Sequence, residues 1–455
     1  MASRTLAWLV FFALLCALGL RMHGKMQAAE QERLAREQAT YQYLRKLIRD
    51  NYVREVDDRK LFYGAMNGMA SSLDRHSQFM PPQEFEQLKT QTTGQYEGVG
   101  IEFDPDESRG LIVLTPLENT PAYRSGILPG DRILKIDGVS TEGMTREEAG
   151  RRIKGPPGST VRLTLLHEGH TEPQEVTLTR AVNEMKSVQV AEILAPPVVP
   201  ETFEFKIGHV QISQFQQRTG SDLDAVLKRL ESRGMQALVL DLRQNPGGLL
   251  EAAQQVADLF LKDGPIVTVI TRADAQSKEK GATAYAEEPG THPDYPLAVL
   301  VDQNSASASE VVAGALKDRG RAVLVGDRTY GKFSVQDVFR VPLGKWGESA
   351  LKLTIARYQT PSSPCVDGQG LIPDYPVPFT LEQQRALQMS RIRRHIKDND
   401  PRGAANAAVN KKDKQPPEPF DDLQLKKAAE VLAEMLKQKK PAQPAPSAEP
   451  VSRAK

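Results

Sequence analysis

The chain has 455 residues, enough for two or three domains and a large buried core. Lys and Arg number 59 against 58 for Asp and Glu, a net charge of +1 that gives no reason to expect nucleic acid as a partner. The two cysteines, Cys16 in an apolar N-terminal stretch and Cys365 far downstream, suggest neither an internal disulfide nor a zinc site.

The first 25 residues read as a targeting signal. Arg4 precedes an uncharged apolar run over residues 6–20, and Arg21 and Lys25 follow it. The run is short for a full bilayer span and fits a signal-peptide core. No small-x-small cleavage site follows, and Leu14-Leu15 before Cys16 does not suit a lipoprotein site. An uncleaved signal anchor over residues 1–25 is therefore favoured over a cleaved signal. Either way, residues from 26 onward are expected to be exported to the periplasm or cell-envelope space, with an anchor in the inner membrane. Positive charge at both ends of the run leaves the orientation open.

Residues 26–94 carry a helical pattern. Leu34, Tyr41, Leu44, Leu47 and Ile48 recur at three- and four-residue steps, as do Leu61, Ala65 and Met69. Residues 73–82 break the pattern, and 82–88 suggest another short helix. The segment reads as a spacer that carries the next domain away from the membrane.

Short β-rich runs follow. Gly98-Val99-Gly100-Ile101 is joined downstream by Gly-Ile-Leu-Pro-Gly-Asp-Arg-Ile-Leu-Lys-Ile-Asp-Gly over residues 126–138, with a helical piece at 146–153 and a strand at 160–166. Over residues 95–181 this resembles the PDZ domain. The resemblance implies that a peptide C-terminus adds as a strand to a sheet edge, with its carboxylate on the N–H groups around Gly98, Val99, Gly100 and Ile101. The residues suit that chemistry: the glycines let a backbone approach closely, and Val99 and Ile101 can wall an apolar pocket.

Pro196, Pro197 and Pro200 mark a boundary, and residues 182–378 read as one α/β domain. Strands are expected at 208–213, 237–242, 266–270, 297–301, 322–325 and 349–358, with helices at 223–230, 249–261 and after the serine cluster at 305–309. The stretch 278–295 reads as a polar loop. Strands alternating with helices imply a layered, mainly parallel sheet. Residues 379–440 carry two further helices, at 381–396 and 423–436, joined by a charged linker. Leu425, Ala428, Ala429, Leu432 and Leu436 share one face of the second; whether it packs on the core or pairs with a second copy is left open. Residues 441–455 are low-complexity and expected to be disordered.

The chemistry centres on Ser305, Ser307 and Ser309, where a buried strand ends and a helix begins. The plain reading of such serines is helix capping. A catalytic serine needs a base. His209 lies mid-strand and His292 in the polar loop, and neither has a convincing setting. Lysine is the alternative, because burial disfavours its charged form and leaves an amine able to take a proton. Lys332, in a glycine-bounded turn after the strand at 322–325, would emerge at the same sheet edge as the serines.

Here a second resemblance becomes plain. Ser305-Ala-Ser-Ala-Ser-Glu310, Gly331-Lys332, Gln336 and Asp241-Leu-Arg-x-Asn-Pro-Gly-Gly248 look like the carboxyl-terminal processing, or tail-specific, proteases. So do Leu73-Asp-x-x-Ser77, Tyr358-x-Thr-Pro361, Gly370-Leu-Ile-Pro-Asp374 and, more weakly, Asp422-Leu-Gln-Leu425. The resemblance implies a ClpP/crotonase-like serine peptidase core with an inserted PDZ domain and helical N- and C-terminal segments. It implies Ser307 as nucleophile, Lys332 as general base and Gln336 as the residue that orients the lysine. The oxyanion hole would take the N–H of Ala308 and one from the Gly247-Gly248 turn, with Gly248 preferred. Ser305 and Ser309 keep the capping role. Two departures stand out: Asp302-Gln-Asn304 replaces the family's usual turn before the serines, and Lys154 stands where relatives often carry Arg.

The implied partners are proteins with apolar C-termini. The terminal helices leave room for a homo-oligomer or a regulatory adaptor. No metal, nucleotide or other cofactor motif is present, so hydrolysis should need only water. Two rival readings remain: an inert PDZ scaffold, which both the intact serine and lysine motifs oppose, and an esterase or amidase with a histidine base.

Overall fold

The computed structural model describes residues 2–106, 110–196, 198–200, 204–362, 368–402 and 420–439, and the side chains of residues 2–19, 24 and 439 lie outside that description. Most side chains of the apolar run at 6–20, together with Cys365, the linker at 403–419 and the expected tail at 441–455, therefore fall outside it. Two compact units result: residues 1–82 with 338–353, and residues 83–337 with 354–455.

In the first unit the expected helical pattern becomes a continuous helix, Ala2–Asn51, on which Leu34, Leu44, Leu47 and Ile48 stay exposed. Among the described residues no helix is long and apolar enough to cross a membrane. The next helix, Asp58–Ser71, is capped by Asp57, whose carboxylate accepts the N–H groups of Arg59 and Lys60. Its Phe62 and Tyr63 meet Trp346 edge-on. The Leu73-Asp-x-x-Ser77 motif is a turn: Asp74 accepts the N–H groups of His76 and Ser77 and the Ser77 hydroxyl. The short strand Gln78–Met80 then pairs antiparallel with residues 350–352.

The second unit opens with the helix Pro82–Thr93, longer than its sequence pattern suggests. The PDZ resemblance becomes an antiparallel sheet running from Ile101–Asp106 through Gly110–Pro116, Arg132–Ile136 and Thr160–Leu166 to Gln174–Thr179, with the helix Arg146–Ile153. Its core gathers Val99, Leu111, Val113, Ile127, Ile133, Leu163 and Leu165. Val99 is thus a core residue, and of the two apolar side chains expected to wall a pocket, Ile101 is the half-buried one.

The protease-like core is a six-stranded sheet. Val188–Ile193 and Ile207–Ile212 pair antiparallel, and the latter runs parallel to Ala237–Asp241, Leu297–Val301, Val323–Gly326 and Tyr375–Pro376 in turn. The central strands are buried along their whole length, as expected of a parallel sheet covered on both faces. Alternate residues divide between the two faces. Val210, Leu238, Leu240, Val299 and Val301 face the helices Thr219–Ser232, Leu250–Asp258 and Ala308–Asp318. Ile207, Ala237, Val239, Ala298 and Leu300 face Leu425, Ala428, Ala429 and Leu432 of the C-terminal helix Leu423–Lys439. That settles the open question of the amphipathic helix, whose apolar face lies on this core.

Two expectations change. Pro265–Thr271 and Glu348–Gln359 lie outside the parallel sheet and pair antiparallel with each other. Part of the expected polar loop is the strand Ala282–Tyr285, which extends that antiparallel ladder. Its alternation is too brief to register as a strand without a partner edge.

Candidate active site

Three adjacent parallel strands, Ala237–Asp241, Leu297–Val301 and Val323–Gly326, deliver their C-terminal ends to one edge of the sheet. The turns that follow are the Asn-Pro-Gly-Gly turn, the serine cluster and the lysine loop. In open α/β sheets this edge is where ligands bind. Sequence motifs some 60 and 25 positions from the serines are thereby brought together.

Ser307 stands at the N-cap of the helix Ala308–Asp318 with φ 54° and ψ −115°. A positive φ is rare for a residue with a Cβ and stores local strain. The residue is half-buried, while Ala308 behind it is buried. Capping is divided differently from the sequence expectation, because Ser307 itself occupies the N-cap. Ser305 Oγ donates to Leu242 O at 2.8 Å and accepts the Asp302 N–H, and Ser309 Oγ donates to Asn245 O at 2.9 Å. Ser309 therefore ties the serine turn to the Asn-Pro-Gly-Gly turn, and Ser305 ties it to the strand end that leads into that turn.

That turn presses against the serine. A Cβ on Gly247 would lie 2.9 Å from Ser307 Cβ and 3.0 Å from Ala308 N, and Gly247 has φ 104°. Only glycine suits both the conformation and the approach. The Gly247 N–H donates to Asn245 Oδ1 at 2.9 Å, so this glycine is already engaged as a donor. Gly248 is exposed, and among the described residues neither its N–H nor that of Ala308 has a hydrogen-bond acceptor. These are the two donors preferred from the sequence. Asp302, the departure from the usual turn, has a structural use here: its Oδ1 accepts the N–H groups of Gln244 and Asn304 at 2.9 and 3.0 Å. Burial pushes its carboxyl up from the ordinary value, against these hydrogen bonds.

The lysine loop is tied to the serine turn at several points. Tyr330 N–H donates to Ser305 O at 3.0 Å. Glu310, fully buried in the first turn of the serine helix, accepts the N–H of Ser307 at 2.9 Å and the N–H of Lys332 at 2.8 Å, both on Oε2. Its Oε1 accepts the Gly331 N–H and the Thr329 hydroxyl. On the other side, the Tyr358 hydroxyl lies 2.9 Å from Ser307 O and 2.7 Å from Lys332 O. Lys332 is half-buried. Gln336 lies on the strand Ser334–Pro342 that follows the lysine, where its amide donates to Ser334 Oγ at 2.8 Å and, on the strand Glu348–Gln359, to Thr354 Oγ1 at 3.3 Å.

The two histidines that would be alternative bases have other neighbours. His209 Nε2 lies 3.4 Å from Asp241 Oδ2, and His292 is held between Glu231 and Asp224.

Beneath the Asn-Pro-Gly-Gly turn lies a buried ionic cluster. Arg243 binds Asp241 through Nε and Nη2, and binds Asp422 and Gln424 of the C-terminal region. Arg391 donates to Asp241 Oδ2 and Arg243 O, both at 2.8 Å. Burial alone would raise the Asp241 carboxyl; the Arg243 and Arg391 guanidinium groups overturn that and hold it well below its ordinary value. Glu310, Tyr358, Thr329 and Arg391 are the site residues not singled out by role from the sequence. Glu310 and Tyr358 stood inside quoted motifs, but nothing in spacing alone shows which backbone groups they meet.

In the PDZ segment, Gly100 has φ 81° and a Cβ there would collide with Thr120. The Val99 and Gly100 carbonyls are taken by Ala122 and Leu117 N–H groups, while the N–H groups of Val99 and Gly100 have no acceptor among the described residues. Lys154 caps the helix Arg146–Ile153 on its C-terminal side.

Comparison with known proteins agrees with this architecture. Residues 206–377 match the peptidase family S41 and residues 87–166 match the PDZ domain. The carboxy-terminal-processing protease of Bartonella bacilliformis is 36% identical over 414 residues, spanning 87% of this chain and 89% of that protein. The carboxyl-terminal-processing protease of Synechocystis is 36% identical over 335 residues, spanning 72% of this chain and 74% of that protein. A solved photosystem II D1 C-terminal processing protease is 28% identical, spans 75% of this chain and 93% of that chain, and has a TM-score of 0.41. The chain belongs to peptidase family S41 and is a PDZ-containing carboxyl-terminal processing serine protease.

Proposed function

We propose that this chain is an exported, membrane-anchored endopeptidase that receives exposed apolar protein C-termini in its PDZ domain and cleaves them with a Ser307/Lys332 dyad. The Lys332 amine takes the Ser307 Oγ proton as Oγ attacks the scissile carbonyl. The oxyanion forms against the Ala308 and Gly248 N–H groups. Collapse expels the new amine, which receives the proton from Lys332, and leaves an acyl ester on Ser307. A water molecule, deprotonated by Lys332, then releases the acid. Gln336 orients the lysine. The observation that carries this reading is the convergence of Ser307 and Lys332 N–H groups on one oxygen of Glu310.

Casein cleavage by the wild type, Ser307→Ala and Lys332→Ala tests it. Both variants should lose activity by at least about 1,000-fold, given the cost of removing a member of such a unit; equal activity in all three would discard the dyad. The N–H groups at Val99 and Gly100, which have no acceptor among the described residues, support capture of a carboxylate in the PDZ segment. Amidation of an apolar peptide's C-terminus should weaken its binding. The apolar run at 6–20 supports anchoring at the inner membrane, with the catalytic part in the periplasm or cell-envelope space; fractionation of cells carrying a chain that begins at residue 26 checks this. The exposed Leu34, Leu44, Leu47 and Ile48 offer a surface for a homo-oligomer or an adaptor.

A further inference from the structure

Ser307 and Lys332 sit on different elements, one at a helix N-cap and the other in the loop between the strands Val323–Gly326 and Ser334–Pro342. Proton transfer between their side chains demands heavy-atom approach of about 2.6–3.2 Å, so the two backbones must be held to a fraction of an ångström. Nothing in the sheet ladder alone enforces that, because both residues lie beyond the paired parts of their strands.

We propose that Glu310 and Tyr358 act as a paired clamp whose work is to set the distance between nucleophile and base; this rests on the dyad reading above. The clamp closes on both sides of each peptide unit. Glu310 Oε2 accepts the N–H groups of Ser307 and Lys332 at 2.9 and 2.8 Å. The Tyr358 hydroxyl faces the carbonyls of the same two residues at 2.9 and 2.7 Å, sharing its proton between them. Two side chains from separate elements thus bridge the same pair of residues, one through the donors and the other through the acceptors. Tyr358 is itself fixed by a backbone bond from its N–H to Phe333 O and by an edge-on contact with the Phe333 ring.

The charge state of Glu310 follows from its partners. The Thr329 hydroxyl accepts the Leu371 N–H at 2.6 Å, so its own proton goes to Glu310. All four groups on the carboxylate are therefore donors, and each oxygen takes two. Only an ionised carboxylate can serve them; an amide would turn its NH2 against two donors. The same bonds hold Ser307 at its positive φ, a conformation that needs surrounding support to persist.

The test compares full-length wild type, Glu310→Gln and Tyr358→Phe for kcat and KM on fluorescent casein and for thermal melting. Glu310→Gln keeps the side-chain volume, and it should lower kcat by about 100-fold or more while KM changes by less than about threefold. Tyr358→Phe removes one hydroxyl, and it should lower kcat by about tenfold at unchanged KM, with Glu310→Asp recovering part of the Glu310→Gln loss. A kcat within about threefold of wild type in Glu310→Gln, or loss of kcat that simply tracks a falling melting temperature, overturns the clamp. If Glu310→Gln does not fold, Tyr358→Phe decides alone: wild-type kcat overturns the proposal and the tenfold fall sustains it. The dyad reading fails separately, through an active Ser307→Ala or Lys332→Ala.

Discussion

Ser307 shows how much one residue's conformation carries. Its φ of 54° is tolerated because Glu310 and the Gly247 turn close around it. Gly247→Ala places a methyl group beside Ser307 Cβ at φ 104°, and should reduce casein cleavage by at least about 100-fold while most of the fold survives; near-wild-type turnover would show that the turn yields. Titration separates fold from activity at this scale. Asp241 lies well below its ordinary value of 3.8, so the stability it contributes is present above 3.8 and is lost as pH falls through its lower folded value. Glu310 is raised above 4.5, chiefly by burial, so the folded state binds its proton more tightly and this group does not drive acid unfolding. Protonating Glu310 nevertheless removes an acceptor from the clamp. Activity should therefore disappear reversibly at a pH above 4.5 where far-UV circular dichroism remains native; coincident loss of both signals would contradict this.

The elements around the site act as cross-braces. The C-terminal helix Leu423–Lys439 buries Leu425, Ala428, Ala429 and Leu432 on the face of the parallel sheet opposite the serine helix. Leu432→Ala should cost about 2–5 kcal/mol in urea unfolding, as a buried leucine truncation does. Asp422 joins the same region to Arg243, two residues before Asn245 of the glycine turn. Asp422→Ala leaves a guanidinium buried with less compensation, and should destabilise the fold by about 3–5 kcal/mol while also lowering kcat. A variant with unchanged stability would show that Gln424 and Asp241 satisfy Arg243 without it. Amphipathic spacing identified this helix from sequence, but its partner was not legible, because an apolar stripe looks the same whether it meets a sheet or a second copy.

At the scale of the second unit, the helix Leu381–Asp398 links the PDZ segment to the core. Arg391 reaches Asp241 and the Arg243 carbonyl, Arg394 grips Glu192 with two bonds, and His395 Nε2 lies 3.2 Å from Glu102, next to Ile101. The Glu102 carboxylate raises the His395 imidazole above its ordinary 6.5, against the effect of burial. That tie is at full strength below 6.5 and is lost as pH rises through the raised folded value. Hydrogen exchange across residues 101–106 and 381–398 should therefore quicken, beyond its intrinsic pH dependence, as pH rises above 6.5 in the wild type and lose that excess in His395→Ala. The sequence alone determined the PDZ-containing peptidase fold, the buried parallel strands, the serine cluster and the lysine loop, because runs of apolar residues, glycine-bounded turns and motif spacing are local properties of the chain. It did not determine that Ser307 takes the N-cap, that Gly247 gives its N–H to Asn245, or that Glu310 and Tyr358 bridge the two halves of the site. Those depend on which strand ends lie side by side, and hydrogen-bond geometry between segments distant in sequence exists only once the sheet has brought them together.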